Sequence, residues 1–147
     1  MALDNSFYIE TSQEPIQIGS WMINNLGFQE DETDDPIALV KKGVVAIVDY
    51  YEPHFNIIEE TYGFLPNISI YFRLDKFEEF DDGYKNMIDS VQRILENFDC
   101  QAIMLGPGGG TALLYMGNQL ILQQDEWNEH NLNLFDLPYC VQDIKNM

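Results

Sequence analysis

Residues 67–74, Asn67-Ile68-Ser69-Ile70-Tyr71-Phe72-Arg73-Leu74, decide how the rest of the chain reads. Ile68, Ile70 and Phe72 fall on one side of an extended backbone, and Ser69, Tyr71 and Arg73 on the other. That period of two is a strand with one buried face. Beyond Asp81 the period changes. Tyr84, Met87, Ile88, Val91, Leu95 and Phe98 recur at helical spacing, with Lys85, Asn86, Asp89, Gln92, Arg93 and Glu96 opposite them, which predicts an amphipathic helix over 82–98. A strand with one buried face, followed by a helix with one apolar stripe, points to helices laid on an antiparallel sheet.

Toward the N-terminus, Val44-Val45-Ala46-Ile47-Val48-Asp49-Tyr50-Tyr51 is apolar almost throughout, as in a central strand. Val40-Lys41-Lys42-Gly43-Val44 reads as the turn leading into it, and residues 52–66, with Pro53, Gly63 and Pro66, as mostly irregular. Residues 3–10 form a first strand. Ser12 is the expected N-cap of the helix that follows, with Glu14 and Pro15 suited to its start. Its stripe is Ile18, Trp21, Met22 and Leu26, with Trp21 and Met22 expected in the core, and Gly27 ends it. Ahead of the second helix, Glu78-Glu79-Phe80-Asp81-Asp82 suits a helix start, with Asp81 or Asp82 as the cap.

Toward the C-terminus, Ala102-Ile103-Met104-Leu105 is a strand and Gly106-Pro107-Gly108-Gly109-Gly110 a loop. Thr111–Tyr115 and Gln119–Gln123 flank Gly117-Asn118, a hairpin signal because both turn residues tolerate positive φ. Residues 125–147 are polar, anchored by Trp127, Leu134, Phe135, Leu137 and Tyr139. The expected order is strand–helix–three strands–helix–three strands. This is an α+β fold of two layers, a largely antiparallel sheet with two helices packed on it. One domain over 1–147 is expected, with 124–147 an irregular tail against it.

Composition narrows the function. The chain carries 25 Asp+Glu against 7 Lys+Arg, a formal net charge of −18. Such a surface repels phosphate backbones and anionic lipid, which argues against nucleic-acid and membrane partners and favours a basic one. No apolar run is long enough for a transmembrane span, and Met1-Ala2-Leu3-Asp4-Asn5 lacks the features of a signal peptide. Cys100 and Cys140 fit two reduced thiols, so a cytoplasmic location is expected.

No motif specifies catalysis. The glycine run 106–110 lacks the Lys-Ser/Thr of a P-loop, and the acids at 30–35 lack the glycine of an EF-hand loop. Glu126 and His130 would share a helical face but make two ligands where a metal site needs three or four. His54 has no partner motif, and neither cysteine sits in a nucleophile signature. We therefore expect no enzyme, cofactor or metal. Tyr50, Tyr51, Phe55, Tyr62, Phe64, Tyr71 and Phe72 are expected mainly in the core, with a minority of outward tyrosines on a protein-binding surface.

Tyr62-Gly63-Phe64-Leu65-Pro66, then Ile70-Tyr71-Phe72-Arg73-Leu74-Asp75-Lys76-Phe77, Asn86-Met87, Val91, Ala102-Ile103-Met104-Leu105 and Leu114 resemble the immunity proteins of the myxobacterial swarm-inhibition (Sit) toxin systems. The start Met1-Ala2-Leu3-Asp4 is similar too, whereas the glycine run and the C-terminal tail lie outside the match. The resemblance implies a small cytosolic protein that neutralises a cognate toxin delivered by a neighbouring bacterium, with no catalytic residues. Arg73 and Lys76, cations within the motif, are expected to neutralise Asp75 or the acids nearby.

The charge agrees with a basic, nuclease-like toxin domain as partner. The expected toxin-binding residues are Asp31, Glu32, Asp34, Asp35, Asp125, Glu126 and Glu129, with Trp127 as an apolar anchor. The protein itself is expected to be a monomer or weak homodimer. Two other readings fit the size and charge: an acidic secretion-chaperone-like module and a carboxylate-dependent hydrolase.

Overall fold

The structure, a computed structural model, describes residues 3–31, 37–52 and 57–144. In chain order the elements are β1 (Leu3–Thr11), α1 (Pro15–Leu26), β2 (Gln29–Glu30), β3 (Ile37–Lys41), β4 (Val44–Tyr50), α2 (Ile57–Tyr62) and β5 (Ile68–Leu74). Then follow α3 (Phe80–Asn97), β6 (Cys100–Leu105), β7 (Thr111–Met116), β8 (Gln119–Gln123), α4 (Glu129–Leu132) and β9 (Tyr139–Gln142). The strands form one nine-stranded sheet in the order β2-β3-β4-β5-β1-β6-β7-β8-β9. Every pairing is antiparallel except β8 with β9. The α+β, largely antiparallel architecture expected from the periodicities is the one observed.

The alternation in 67–74 holds. Ile68, Ile70, Phe72 and Leu74 are buried, and the register partners of the last three in β4, Val48, Ala46 and Val44, are buried with them. β1 lies between β5 and β6 and adds Phe7 and Ile9 to the same face. α1 packs on β3 and β4, and α3 on β4 and β5. Ile18, Met22 and Leu26 from α1 meet Met87, Ile88, Val91 and Leu95 from α3 in the main core. The second face carries a smaller cluster, Ile58, Phe64, Ile103, Leu114, Ile121 and Ile144. It is covered by the 57–66 segment and the chain around Ile144.

Local chemistry differs from expectation at several points. The N-cap of α1 is Glu14, not Ser12, because Pro15 occupies the first helical position. The Gln17 side chain accepts the Glu14 N–H at 2.7 Å. Gly27 ends the helix as expected, at φ 78°. Neither Asp81 nor Asp82 caps α3. The cap position is Glu79 and both aspartates lie in the first turn, where they complement the helix dipole. Trp21 is half-buried, edge-on to Phe98 at 5.0 Å, rather than enclosed like Met22.

Gln92 was expected on the solvent side of α3 but is 1% exposed. Its Nε2 donates to the Leu134 carbonyl at 3.0 Å, and its Oε1 accepts the N–H groups of Asp136 and Leu137. A buried Gln123 does the same for the chain end: Nε2 donates to Asp143 and Oε1 accepts the Ile144 N–H at 2.7 Å. These two amides turn a polar stretch into ordered structure. β9 is the result, running parallel beside β8 where an irregular tail was expected. α2 was also unforeseen, since six residues between breakers show too little periodicity to register.

The expected hairpin is present, with Gly117 and Asn118 at φ 57° and 61°. The glycine run is the β6–β7 connection, closed by Gly106 N–H to the Gly110 carbonyl at 2.9 Å.

Candidate functional site

The acids expected to form a toxin-binding face come from two segments of the chain. Asp31 follows the edge strand β2, its N–H bonded to the Ala38 carbonyl. Glu32, Asp34 and Asp35 lie outside the described residues. Asp125, Glu126 and Glu129 are exposed on the chain that follows β8. The segment that carries them folds back over α3: Glu126 and Trp127 line a hollow with Leu3, Leu74 and Tyr84, and His130 lines one with Phe80, Asp82 and Lys85.

Trp127 is occupied within the fold. Its Nε1 donates to the Ala112 carbonyl at 2.9 Å, and its ring meets Tyr84 and Phe135 edge-on at 6.4 and 5.1 Å. It pins the 125–135 segment to β7 and α3. Loss of this indole removes an internal anchor first, whatever else the exposed part of the ring touches.

The charged part of the Phe72–Lys76 motif is also structural. Arg73 pairs with Asp4, its register partner on β1, at 3.1 Å, and lies over the Tyr71 ring. A hydrogen bond from Tyr71, and then Arg73, hold the Asp4 carboxyl below its usual value despite some opposing desolvation. Asp75, which Arg73 was expected to neutralise, instead accepts the backbone N–H groups of Phe77 and Glu79. It shapes the turn into α3. Lys76 is exposed.

Among the described residues no group of three or more His, Cys, Asp or Glu converges to hold a metal. Glu126 precedes α4 and His130 lies inside it, so the helical spacing expected of them does not arise. Cys100 and Cys140 are both free thiols. Burial pushes the Cys100 thiol up to about 11.

A concave surface does exist, on the second face of the sheet. A cleft of about 440 Å³ is walled by Tyr8, Tyr51 and Tyr62, floored by Ile103 and Leu105, and rimmed by Ile57 and Glu52. Three pieces of chain build it. Antiparallel pairing sets Tyr8 beside Ile103, and the Tyr51 N–H bonds to the Asn67 carbonyl, holding the end of β4 against β5. α2 turns Ile57, Ile58, Thr61 and Tyr62 toward the cleft, while Glu59 and Glu60 are exposed. Tyr8 and Tyr51 meet edge-on at 4.9 Å, and the Tyr62 hydroxyl lies 3.4 Å from Thr111 Oγ1.

Of the aromatics expected mainly in the core, Phe64 and Phe72 are buried, whereas Tyr51, Tyr62 and Tyr71 are half-buried and Tyr50 is 57% exposed. Phe55 lies outside the described residues. The split follows chemistry, because phenylalanine has no hydroxyl to keep hydrated. Sequence reasoning missed the cleft; its only trace was the density of tyrosine between 50 and 71.

A family model described as SitI3-like matches residues 3–131, from the first strand through most of α4. The chain belongs to the SitI3-like family. That places it among immunity-type proteins of the Sit kind and extends the likeness well beyond the motifs between Tyr62 and Leu114. No curated protein and no solved structure matches. The SitI3-like match takes in β1, α1 and all strands up to β8, so both faces of the sheet, including the tyrosine cleft, are built from family-matched chain. β9 and the Gln123-bound chain end lie beyond it. No helix among the described residues is long and apolar enough to cross a membrane.

Proposed function

We propose that this SitI3-like protein is a non-catalytic immunity protein that acts in the cytoplasm by binding and neutralising a cognate, basic, nuclease-like toxin domain. The observation that carries the reading is the charge: a member of an immunity-type family with a net charge of −18. Charge of one sign on the inhibitor speeds encounter with a domain that must itself be basic to hold a phosphate backbone. Asp31, Asp125, Glu126 and Glu129, together with Glu32, Asp34 and Asp35, act as steering charges.

Co-expression tests the reading. The protein should restore growth to cells producing the toxin domain encoded beside its gene. The purified pair should associate with an affinity on the order of nanomolar. Association should slow at high salt and on replacing Asp31, Glu126 and Glu129 by their amides. Absence of binding and of protection would reject the immunity reading. Salt-independent association would leave the acids as solubility charge.

A further inference from the structure

We propose that the tyrosine cleft on the second face of the sheet is the surface that seats the toxin, and that it takes an arginine or lysine side chain projecting from the toxin's basic domain. The proposal rests on the immunity reading above and adds where contact is made and with what chemistry.

The first argument is composition. Tyr8, Tyr51 and Tyr62 line the cleft around Ile103 and Leu105, with Tyr8 and Tyr51 edge to face. Aromatic walls bury the methylene stem of a long cation and attract its charge by the ring quadrupole. Glu52 stands at the rim as the counter-charge, and none of the described residues lining the cleft is basic. Glu59 and Glu60 lie exposed on the outer side of α2. Asp49 is exposed in the same cross-sheet row as Tyr8, through Ser69, two interstrand steps or about 10 Å away. On this face Arg73 is already paired, to Asp4.

The second argument is exposure. Ile57 at the rim is 61% exposed, and Leu65, on the loop after α2, is 42% exposed. The sheet beside the cleft is only partly covered as well, with Ile47 and Tyr71 paired on β4 and β5 and half-buried. Tyrosine and isoleucine around a pocket, ringed by carboxylates, is the arrangement of an interface centre with a charged rim.

The test uses the full chain and the purified toxin domain, with binding followed kinetically. Ile57→Asp alters an exposed residue and Glu52→Lys a rim charge, so neither removes a core contact; Tyr51→Ala removes a wall. Far-UV circular dichroism and urea midpoints establish that each is folded. We expect Ile57→Asp and Glu52→Lys to raise the dissociation rate about tenfold or more, and Tyr51→Ala at least as much. Amide substitutions at Asp31 and Glu129 should alter association alone.

Unchanged dissociation in Ile57→Asp and Glu52→Lys, with wild-type binding intact, overturns the cleft as the contact and leaves the immunity reading standing. Failure of the wild type to bind rejects that reading itself. A wild-type homodimer that Ile57→Asp splits would give the face to a second copy and overturn the proposal.

Discussion

Gly43 in the β3–β4 turn and Gly83 in the first turn of α3 meet backbone to backbone. A methyl group on Gly83 would overlap the Gly43 carbonyl, and one on Gly43 would overlap the Glu79 carbonyl and the Gly83 backbone. Gly43 also holds φ +80°, and its carbonyl accepts the Asp75 N–H at 2.9 Å. One contact therefore fixes the helix against the sheet and sets the turn after β5. Gly83→Ala should cost about 1–3 kcal/mol, as overpacking does, and Gly43→Ala more, because positive φ adds strain. Urea denaturation measures both; a loss under about 0.5 kcal/mol, typical of a surface site, would mean the backbones stand further apart.

Gln92→Leu keeps the shape of the side chain and removes its polar atoms. The Leu134 carbonyl and the Asp136 and Leu137 N–H groups lose their partner. Each orphaned buried group costs about 1–3 kcal/mol, reduced where water reaches it. Amide exchange at Asp136 and Leu137 should accelerate more than in α3, and equal protection in the variant would contradict the clamp.

Leu95 is 3% exposed in the α3 core. Leu95→Ala should cost about 2–5 kcal/mol by equilibrium unfolding.

Stability should fall at alkaline pH. Burial, with a smaller contribution from Glu126, pushes the Tyr84 hydroxyl from 10.0 up to about 12. The folded state keeps this proton while the unfolded state releases it, so the contribution is complete below pH 10 and is lost between 10 and about 12. Two units correspond to at most about 2.7 kcal/mol. Tyr84→Phe should flatten the fall, measured as urea midpoints at pH 9 and 11; an unchanged slope would show that Tyr84 does not titrate with unfolding.

The thiols should differ. With its thiol pushed up to about 11, native Cys100 is thiolate in roughly one molecule per thousand at pH 8. Cys140, half-buried on the edge strand β9, should react with a disulfide reagent in the native protein, and Cys100 only on unfolding. Two fast native thiols would refute the difference.

Much of the fold was legible because it rests on local repetition. The alternation in 67–74, the stripe in α3 and the turn residues Gly117 and Asn118 each act through neighbours in the chain, and each reads correctly from the sequence. The acidic balance that argues for a basic partner is likewise a property of composition. What the sequence could not show depends on distant groups meeting. Gln92 looks like a solvent-facing residue until Leu134, Asp136 and Leu137 arrive to use its amide, and β9 forms only because β8 offers an edge. Tyr8, Tyr51 and Tyr62 come from three pieces of chain and become a cleft only when pairing brings Ile103 beside Tyr8 and α2 lies along it. Asp31 and Glu129 look equivalent as charges in a list, but Asp31 is tied to the edge of β3 whereas Glu129 sits in the segment that Trp127 pins to β7 and α3. Periodicity and charge are additive along a chain. Partners across a sheet are chosen by closure of the whole core, so the site belongs to the tertiary structure.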